Sequence, residues 1–208
     1  DQAISVPSAS INESDLADQL LAFRQQQDGF LLPSFNPISG SGPNGAIVHY
    51  RAIAGADREL ASDDLLLLDS GGHYRDGTTD ITRTIAIGTP PNGAVAAYSH
   101  VLQSHIHLAM AKFPTGTDGK QLDAIARAPL WAAGLDFAHG TGHGVGHVLS
   151  VHEGPASISK RGDVALEAGM VLSNEPGYYQ TGDWGIRIEN LIVVTPAKQT
   201  GFLEFETI

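Results

Sequence analysis

Two strand-length apolar runs, each with an acidic residue, constrain the fold more than any other feature of the chain. Residues 65–68 are four leucines that end at Asp69, and the run over residues 79–87 carries Asp80 near its start. A turn signal, Arg75-Asp76-Gly77, lies between them. Runs of this kind joined by such a turn predict an antiparallel hairpin that contains a loop or a bulge. We therefore expect Asp69 and Asp80 to come close together.

Two buried carboxylates held close together require a compensating positive charge. Without one, the pKa of one carboxyl group rises sharply, and a bound metal ion is the simplest source of the charge. The alternative is that Asp69 and Asp80 are solvated residues at a turn or strand end. The pair alone does not decide between these interpretations.

The remaining segments predict an α+β fold with a mainly antiparallel sheet. Apolar residues at helical spacing predict helices, β-like runs predict strands, and a segment rich in Pro, Gly and Ser predicts a loop. Pro129 counts against one continuous third helix. The predicted helices cover residues 12–27 (with Asn12 or Ser14 as N-cap), 94–113 and 118–133, the further strands 46–50 (carrying His49), 170–174, 185–194 and 201–206, and the loop 31–45.

Histidines separated by glycines form the second informative stretch. His139, His143 and His147 recur at a spacing of four, and His152 follows. Glycine permits close approach of a ligand or of another backbone, which favours a loop or strand that lines a pocket. A single histidine is more often structural than a ligand, but four of the nine histidines lie between positions 139 and 152. This concentration favours a chemical role.

Two later carboxylates complete a candidate donor set. Glu175 ends an apolar strand pattern just before Pro176. Further along, charged and apolar residues alternate, so that Arg187 and Glu189 share one face of a predicted strand. Such a charged face is ordinarily exposed to solvent, so the functional interpretation depends on the whole set of residues.

Composition limits the partners and the ligands. With 12 Lys and Arg against 23 Asp and Glu, the net charge of −11 opposes binding to nucleic acid or to anionic membranes. No apolar run approaches the roughly 20 residues of a membrane-spanning helix. The chain has no cysteine, so any metal must take oxygen and imidazole ligands. We expect neither a nucleic-acid partner nor a membrane partner.

Four carboxylates and one imidazole suit hard divalent cations. Mn²⁺ fits this oxygen-rich set best, and Co²⁺, Fe²⁺ or Zn²⁺ could also bind. Four negative charges would nearly neutralise two such ions. The predicted donors are Asp69, Asp80, His143, Glu175 and Glu189.

The order Asp, Asp, His, Glu, Glu resembles the signature of the pita-bread metallopeptidases. Residues 42–50, 69–72, 139–146 and 174–179 are most similar to the cytosolic aminopeptidase P branch of that family. The resemblance covers the whole chain and implies a pita-bread fold, in which helices cover a curved, mainly antiparallel sheet. It also implies one catalytic domain over residues 1–208, and both chain ends look like cuts in a longer multidomain protein.

The resemblance further implies roles for individual residues. Asp69 would bind one metal ion, His143 and Glu175 the other, and Asp80 and Glu189 would bridge the two. It also implies that His49, His139 and His152 line the substrate site and that Arg187 supports the ligands. For the chemistry itself, we expect Glu175 to accept a proton from water and His139 or His152 to stabilise the oxyanion.

The implied activity is hydrolysis of an N-terminal Xaa-Pro bond by water that two metal ions activate. The substrate would be a peptide with proline at its second position, and Tyr178, Tyr179 and Trp184 could supply apolar walls for it. The resemblance also implies a cytoplasmic homodimer. The alternatives are an Xaa-Pro dipeptidase (prolidase), a creatinase-like amidohydrolase, a noncatalytic binding module with the same fold, and a closed structural metal site.

Overall fold

The computed structural model describes residues 10–208, and residues 1–9, where the predicted domain begins, lie outside the described part of the chain. The helices are α1 (Glu13–Gln25), α2 (Ala94–Ala109) and α3 (Gly119–Ala132), together with a 3₁₀ helix (Gly42–Ala46). The strands are β1 (Phe30–Pro33), β2 (Ile38–Ser41), β3 (Asp64–Ser70), β4 (Gly72–Tyr74), β5 (Gly77–Thr78), β6 (Ile81–Ile87), β7 (Lys112–Pro114), β8 (Gly142–His143), β9 (Ser157–Ile158), β10 (Val171–Asn174), β11 (Gly177–Gln180), β12 (Trp184–Arg187), β13 (Asn190–Pro196) and β14 (Phe202–Thr207).

The strands pair in antiparallel fashion. β2, β3 and β6 form one sheet in that order, and β10, β13, β14 and β7 form a second. The pairs within both sheets are antiparallel, as are the smaller pairings of β1 with β4, β4 with β5, β8 with β9 and β11 with β12. The prediction of an α+β fold with mainly antiparallel sheets is confirmed.

Helices α2 and α3 bury their apolar faces against these sheets. Leu108 of α2 and Leu122 of α3 pack with Ile192 of the four-stranded sheet. Val101 of α2 joins a second cluster that includes Leu65 of β3. Burial of each such side chain contributes about 1.5–3 kcal/mol. The two clusters therefore hold both sheets against one helical layer.

The predicted hairpin forms, with a smaller hairpin inserted at its tip. β3 pairs with β6 from Asp64 opposite Ile87 to Ser70 opposite Ile81. The predicted turn at residues 75–77 connects β4 with β5 rather than β3 with β6. Asp80 lies immediately before β6, so the hairpin brings it back towards Asp69 as predicted.

The predictions for residues 31–50 are wrong in part. Two parts of the predicted loop are strands, because residues 31–33 in β1 pair with β4 and Ile38 to Ser41 in β2 pair with β3. The predicted strand over residues 46–50 is instead the end of the 3₁₀ helix followed by a turn, so His49 lies on a turn. Two hydrogen bonds, from Ile47 N–H to Asn44 O and from Tyr50 N–H to Ile47 O, override the β propensity of this segment.

Three other boundaries differ from the prediction or qualify it. Helix α2 ends at Ala109, because Phe113 pairs with Leu203 in the second sheet. Helix α3 is continuous through Pro129, which lies close to its C-terminal end. The predicted strand over residues 185–194 is two strands, β12 and β13, with Glu189 in the break between them.

The first helix begins as predicted, with Asn12 as its N-cap. The Asp15 carboxylate accepts a hydrogen bond of 2.8 Å from the Asn12 N–H, which satisfies a backbone donor at the start of α1. Within residues 10–208, the structure contains no helix with the length and apolar character needed to cross a membrane.

Candidate metal centre and substrate cavity

The five predicted metal-binding side chains converge from separate elements. Asp69 lies on β3, Asp80 before β6, His143 on β8, Glu175 after β10, and Glu189 between β12 and β13. Donor atoms of Asp69, Asp80 and Glu189 all lie within 4.8 Å of one another, and so do those of His143, Glu175 and Glu189. The structure therefore brings together every residue of the predicted set.

Ser173 links His143 to Glu175. Its hydroxyl accepts a hydrogen bond of 3.0 Å from the His143 N–H and donates one of 3.0 Å to Glu175 Oε1. This contact requires β8 to lie very close to β10: a Cβ atom added to Gly142 would lie 2.0 Å from the Ser173 carbonyl oxygen. The glycine next to His143 is therefore needed for close approach, as the sequence suggested.

The acidic cluster is short of positive charge. Asp69 and Glu189 are buried, and Asp69 Oδ1 has no hydrogen-bond partner within residues 10–208. Burial raises the pKa of Asp69 to about 6, although the charge of Arg187 acts to lower it. Burial and the charge of Glu175 raise the pKa of Glu189 well above its ordinary value. Divalent cations would supply the missing charge, so the donor set fits them.

The orientation of His143 also fits a cation. Its Nδ1 lies 2.9 Å from the Gly144 carbonyl oxygen, which can only accept a hydrogen bond, so Nδ1 carries a hydrogen. Nε2 faces Glu175 Oε1 at 3.2 Å and Asp80 Oδ2 at 3.4 Å. Burial acts to lower the pKa of His143, but these two carboxylates raise it to about 10. A cation between Nε2 and the carboxylates would replace the proton that this arrangement otherwise favours.

His139 is held by the protein at both ring nitrogens. Nδ1 lies 2.7 Å from the Gly140 carbonyl oxygen, and Nε2 lies 2.8 Å from the Tyr179 hydroxyl. Arg187 Nη1 donates to the same hydroxyl at 2.8 Å. Burial raises the pKa of Tyr179 to about 12, which keeps its hydrogen available for Nε2. The chain from Arg187 through Tyr179 therefore fixes the His139 ring.

His49 and His152 are exposed and line the same cavity as the carboxylates. The His152 ring lies edge-on to that of His143, with 4.1 Å between centroids. Partial desolvation of the ring at the cavity and the positive charge of His143 lower the pKa of His152. A His152 ring nitrogen also lies within 4.8 Å of donor atoms of Asp80 and His143, so its position permits a role as a further metal ligand.

The cavity has a volume of about 440 Å³, and the carboxylates lie on its lining together with apolar side chains. The apolar lining comes from Phe35, Ile38 and Val48. The prediction that Trp184 forms a wall is wrong, because Trp184 is buried in the core, where Tyr178 packs against it. An aromatic residue that is close in sequence to a site can pack in the core instead of lining the site. The sequence alone does not distinguish these two roles.

Besides Ser173, sequence reasoning missed two residues that hold the acidic segments in place. Thr82 donates a 2.7 Å hydrogen bond to Glu189 Oε2, and Arg24 donates to Ser70 and Thr79, the neighbours of Asp69 and Asp80. The position of Thr82, two residues after Asp80, was a usable signal. Arg24 gave no such signal, because it lies on a distant helix.

The antiparallel fold and the buried acidic cluster together define the class of this protein. Proteins of this class hold two divalent cations at one side of a cavity. The chain belongs to metallopeptidase family M24, whose model matches residues 2–196. This agrees with the family resemblance of the Asp, Asp, His, Glu, Glu order.

Relatives within this family are closely similar over nearly the whole chain. A protein of Laccaria bicolor named probable Xaa-Pro aminopeptidase P is 50% identical over 207 residues, which cover 95% of this chain and 32% of the relative. Aminopeptidase P2 of Arabidopsis thaliana is 53% identical over 193 residues, 92% of this chain and 27% of the relative. The chain spans about a third of the length of these curated relatives.

Solved structures share the fold. The X-prolyl aminopeptidase of Caenorhabditis elegans, a cytosolic enzyme with a di-nuclear active site, matches with a TM-score of 0.92 and 44% identity over 98% of this chain and 34% of that one. The prolidase of Pyrococcus furiosus matches with a TM-score of 0.85 and 30% identity, covering 98% of this chain and 56% of that one. These likenesses confirm the predicted pita-bread fold.

Proposed function

We propose that this chain is the catalytic part of a metal-dependent aminopeptidase that hydrolyses the bond between an N-terminal residue and a following proline. The observation that carries the proposal is the convergence of four carboxylates and His143 on one cavity that three further histidines also line. The aminopeptidase names of relatives at about 50% identity support the choice of reaction.

We infer that Asp69 holds one ion, that His143 and Glu175 hold the other, and that Asp80 and Glu189 lie between both. Glu189 belongs to both groups of closely spaced donors, and Asp80 is close to Asp69 as well as to His143, as bridging ligands must be. Two bound divalent ions would supply hydroxide near neutral pH and polarise a carbonyl group. We assign Mn²⁺ first, with Co²⁺, Zn²⁺ and Fe²⁺ as alternatives, because most donors are hard oxygens.

Side chains of the chain itself would carry out proton transfer, oxyanion stabilisation and substrate binding. Glu175 would accept the proton of the attacking water, with Ser173 holding its Oε1. His152 is our choice to donate to the developing oxyanion, because its ring lies at the cavity while both ring nitrogens of His139 are hydrogen-bonded to the protein. His139 would shape the substrate site, and His49, which lines the same cavity, would contact the substrate.

A proline-selective site must accept a tertiary amide, which has no N–H to donate. The apolar side chains of Phe35, Ile38 and Val48 offer such a surface next to the carboxylates. The prolidase of Pyrococcus furiosus makes Xaa-Pro dipeptidase activity the second candidate. A creatinase-like amidohydrolase and a noncatalytic binding module are the outcomes that remain if neither peptide is cleaved.

The test compares Arg-Pro-Pro with Gly-Pro as substrates of the metal-stripped protein, before and after addition of Mn²⁺. We expect Mn²⁺ to restore release of arginine from the tripeptide with little action on the dipeptide. Glu175→Gln should lower kcat by at least about 10²-fold, whereas Glu167→Gln, at an exposed site, should not. Preference for Gly-Pro would support the prolidase, and no hydrolysis by metal-loaded protein would contradict the proposal.

We further infer that residues 1–208 act as one catalytic domain, and that the protein works as a cytoplasmic homodimer. The cytosolic location of the Caenorhabditis elegans relative supports the compartment. The dimer stays a prediction from family resemblance, and sedimentation velocity over a concentration series tests it. A monomer throughout the series would contradict it.

A further inference from the structure

Glu13, the first residue of α1, is a carboxylate with no exposed surface. Its Oε1 accepts hydrogen bonds from Ser41 N–H at 2.6 Å and Ser41 Oγ at 3.1 Å. Its Oε2 accepts from the Tyr50 hydroxyl at 2.7 Å and from Arg58 N–H at 3.1 Å. Asn44 Nδ2 lies 3.2 and 3.0 Å from the two oxygens. The donors surround both carboxylate oxygens and compensate for their burial.

Two of these donors belong to one loop, residues 44–50, which we call the His49 loop. Asn44 and Tyr50 stand at its two ends, and Asn44 Nδ2 also donates to the Tyr50 hydroxyl at 2.9 Å. Two successive turns, closed by the Ile47 N–H to Asn44 O and Tyr50 N–H to Ile47 O hydrogen bonds, lead from one end to the other. Both ends of the loop are therefore tied to the same carboxylate.

The Tyr50 contact is a strong one. Burial, the hydrogen bond to Glu13 and the negative charge of Glu13 raise the pKa of Tyr50. The hydroxyl therefore keeps its hydrogen, which it donates to Glu13. Hydrogen bonds to a charged acceptor are shorter and stronger than those between neutral groups.

The His49 loop forms part of the wall of the substrate cavity. Val48, His49 and Tyr50 line this cavity together with the acidic cluster. Because the His49 side chain is exposed, its place over the cavity depends on the backbone that carries it. Movement of the loop by about 1 Å would be enough to misplace a group that contacts substrate.

We propose that Glu13 is a positioning residue for substrate binding, which holds the His49 loop in place through hydrogen bonds with both ends of the loop. The kinetic consequence rests on the proposed aminopeptidase function, whereas the effect on the loop does not. A carboxylate at the start of a helix also stabilises that helix through its dipole. That purely structural role would affect α1 and the whole fold without a specific effect on residues 44–50.

The first experiment compares Glu13→Gln with Asp18→Asn, which removes a negative charge from an exposed position on the same helix. The glutamine NH₂ group cannot accept a hydrogen bond, so some donors around position 13 lose their partner. Hydrogen–deuterium exchange should rise on the order of tenfold in residues 42–51 of Glu13→Gln and stay unchanged in β3 and β6. Asp18→Asn should match the wild type throughout.

The second readout is the kinetics of Arg-Pro-Pro cleavage. Glu13→Gln should raise KM on the order of tenfold, with a much smaller change in kcat. The reason is that displacement of the loop weakens substrate binding more than it slows the chemical step. Unchanged exchange in the loop, or an equal rise in all peptides, would overturn the proposal. If the wild type does not cleave Arg-Pro-Pro, the proposed function fails, and the exchange measurement still decides the role of Glu13.

Tyr50→Phe covers the case in which Glu13→Gln does not fold. It removes one donor and leaves the carboxylate and the remaining donors in place. We expect the same changes in loop exchange and KM at a smaller size. Wild-type loop exchange in a folded Tyr50→Phe protein would contradict the proposal.

Discussion

Arg187 donates a hydrogen bond of 2.7 Å from Nη2 to Oδ2 of Asp69, and both side chains are buried. The same guanidinium donates from Nη1 to the Tyr179 hydroxyl, which in turn reaches His139. One planar side chain therefore connects the acidic cluster with a histidine of the substrate cavity. A lysine ammonium is a compact point charge and cannot reproduce this forked geometry.

Arg187→Lys should accordingly weaken both metal binding and peptide hydrolysis. We expect a loss of about 10- to 100-fold in Mn²⁺ affinity or in kcat/KM, the usual range for groups that orient metal ligands. Metal titration and Arg-Pro-Pro hydrolysis measure the two effects. Arg161→Lys, at an exposed position, is the matched control. Wild-type metal affinity and activity in Arg187→Lys would show that Arg187 is not needed in this arrangement.

Arg24→Gln tests whether α1 holds the two aspartate-bearing segments in register. Arg24 donates to Ser70 O and Oγ and to Thr79 Oγ1, next to Asp69 and Asp80. Loss of these contacts should lower Mn²⁺ affinity by about tenfold, because the two carboxylates are no longer fixed relative to each other. Isothermal titration with Mn²⁺ is the measurement. An affinity equal to that of the wild type would mean that the β3–β6 hairpin is sufficient by itself.

Arg127→Met should cause the largest loss of stability among these variants. Arg127 and Asp123 are both buried and joined at 2.8 Å, and Arg127 also donates to the carbonyl oxygens of Phe137 and His139. Removal of one partner leaves a buried carboxylate uncompensated, which costs about 3–5 kcal/mol in the free energy of unfolding. Urea denaturation followed by circular dichroism measures it.

The control for Arg127→Met is Lys160→Met. Lys160 pairs with Asp136 at 3.1 Å, but the lysine side chain is 58% exposed. A surface pair of this kind contributes about 0–1 kcal/mol. Equal destabilisation by the two variants would contradict the claim that burial of the Arg127 network matters.

The Asp136 carboxylate should make stability depend on pH at the acidic end. Burial acts to raise its pKa, but hydrogen bonds from Phe137 N–H, Lys160 and Arg127 lower it to about 2. Its contribution is thus present above the pKa of the unfolded chain and is lost as the pH falls towards 2. The difference in unfolding free energy between wild type and Asp136→Asn should be constant from pH 5 to 7 and shrink below about pH 4. A difference that grows on acidification would contradict this assignment.

The sequence could single out five side chains that the structure brings together because their carboxylates belong to patterns that are local in the chain. Asp69 and Glu175 end apolar runs, and a strand end places a side chain at the rim of a sheet, where a cavity can form. The family resemblance then supplied the connection between segments that are distant in sequence. The glycines around His143 indicated close approach of two strands, and the structure has that approach.

The failed predictions concern segments whose conformation depends on distant partners. Ile47 and Val48 have high β propensity, yet the His49 loop turns because Asn44 and Tyr50 are tied to Glu13, more than 30 residues earlier. Similarly, Ile38 to Ser41 form a strand only because β3 is available to pair with them. Charged residues inside the fold, such as Glu13 and Arg127, were hidden because a buried ion or hydrogen-bond network has no local periodicity.

The measurement that tests the central claim most directly is the number of Mn²⁺ ions bound per chain, determined by equilibrium dialysis and elemental analysis. The account predicts about two ions for the wild type, and weaker binding with a lower count for Asp80→Asn, because Asp80 lies between both donor groups. Asp163→Asn, at an exposed site, should bind as the wild type does. Folded wild-type protein that binds no Mn²⁺ beyond the level of Asp80→Asn would contradict a dinuclear metal centre.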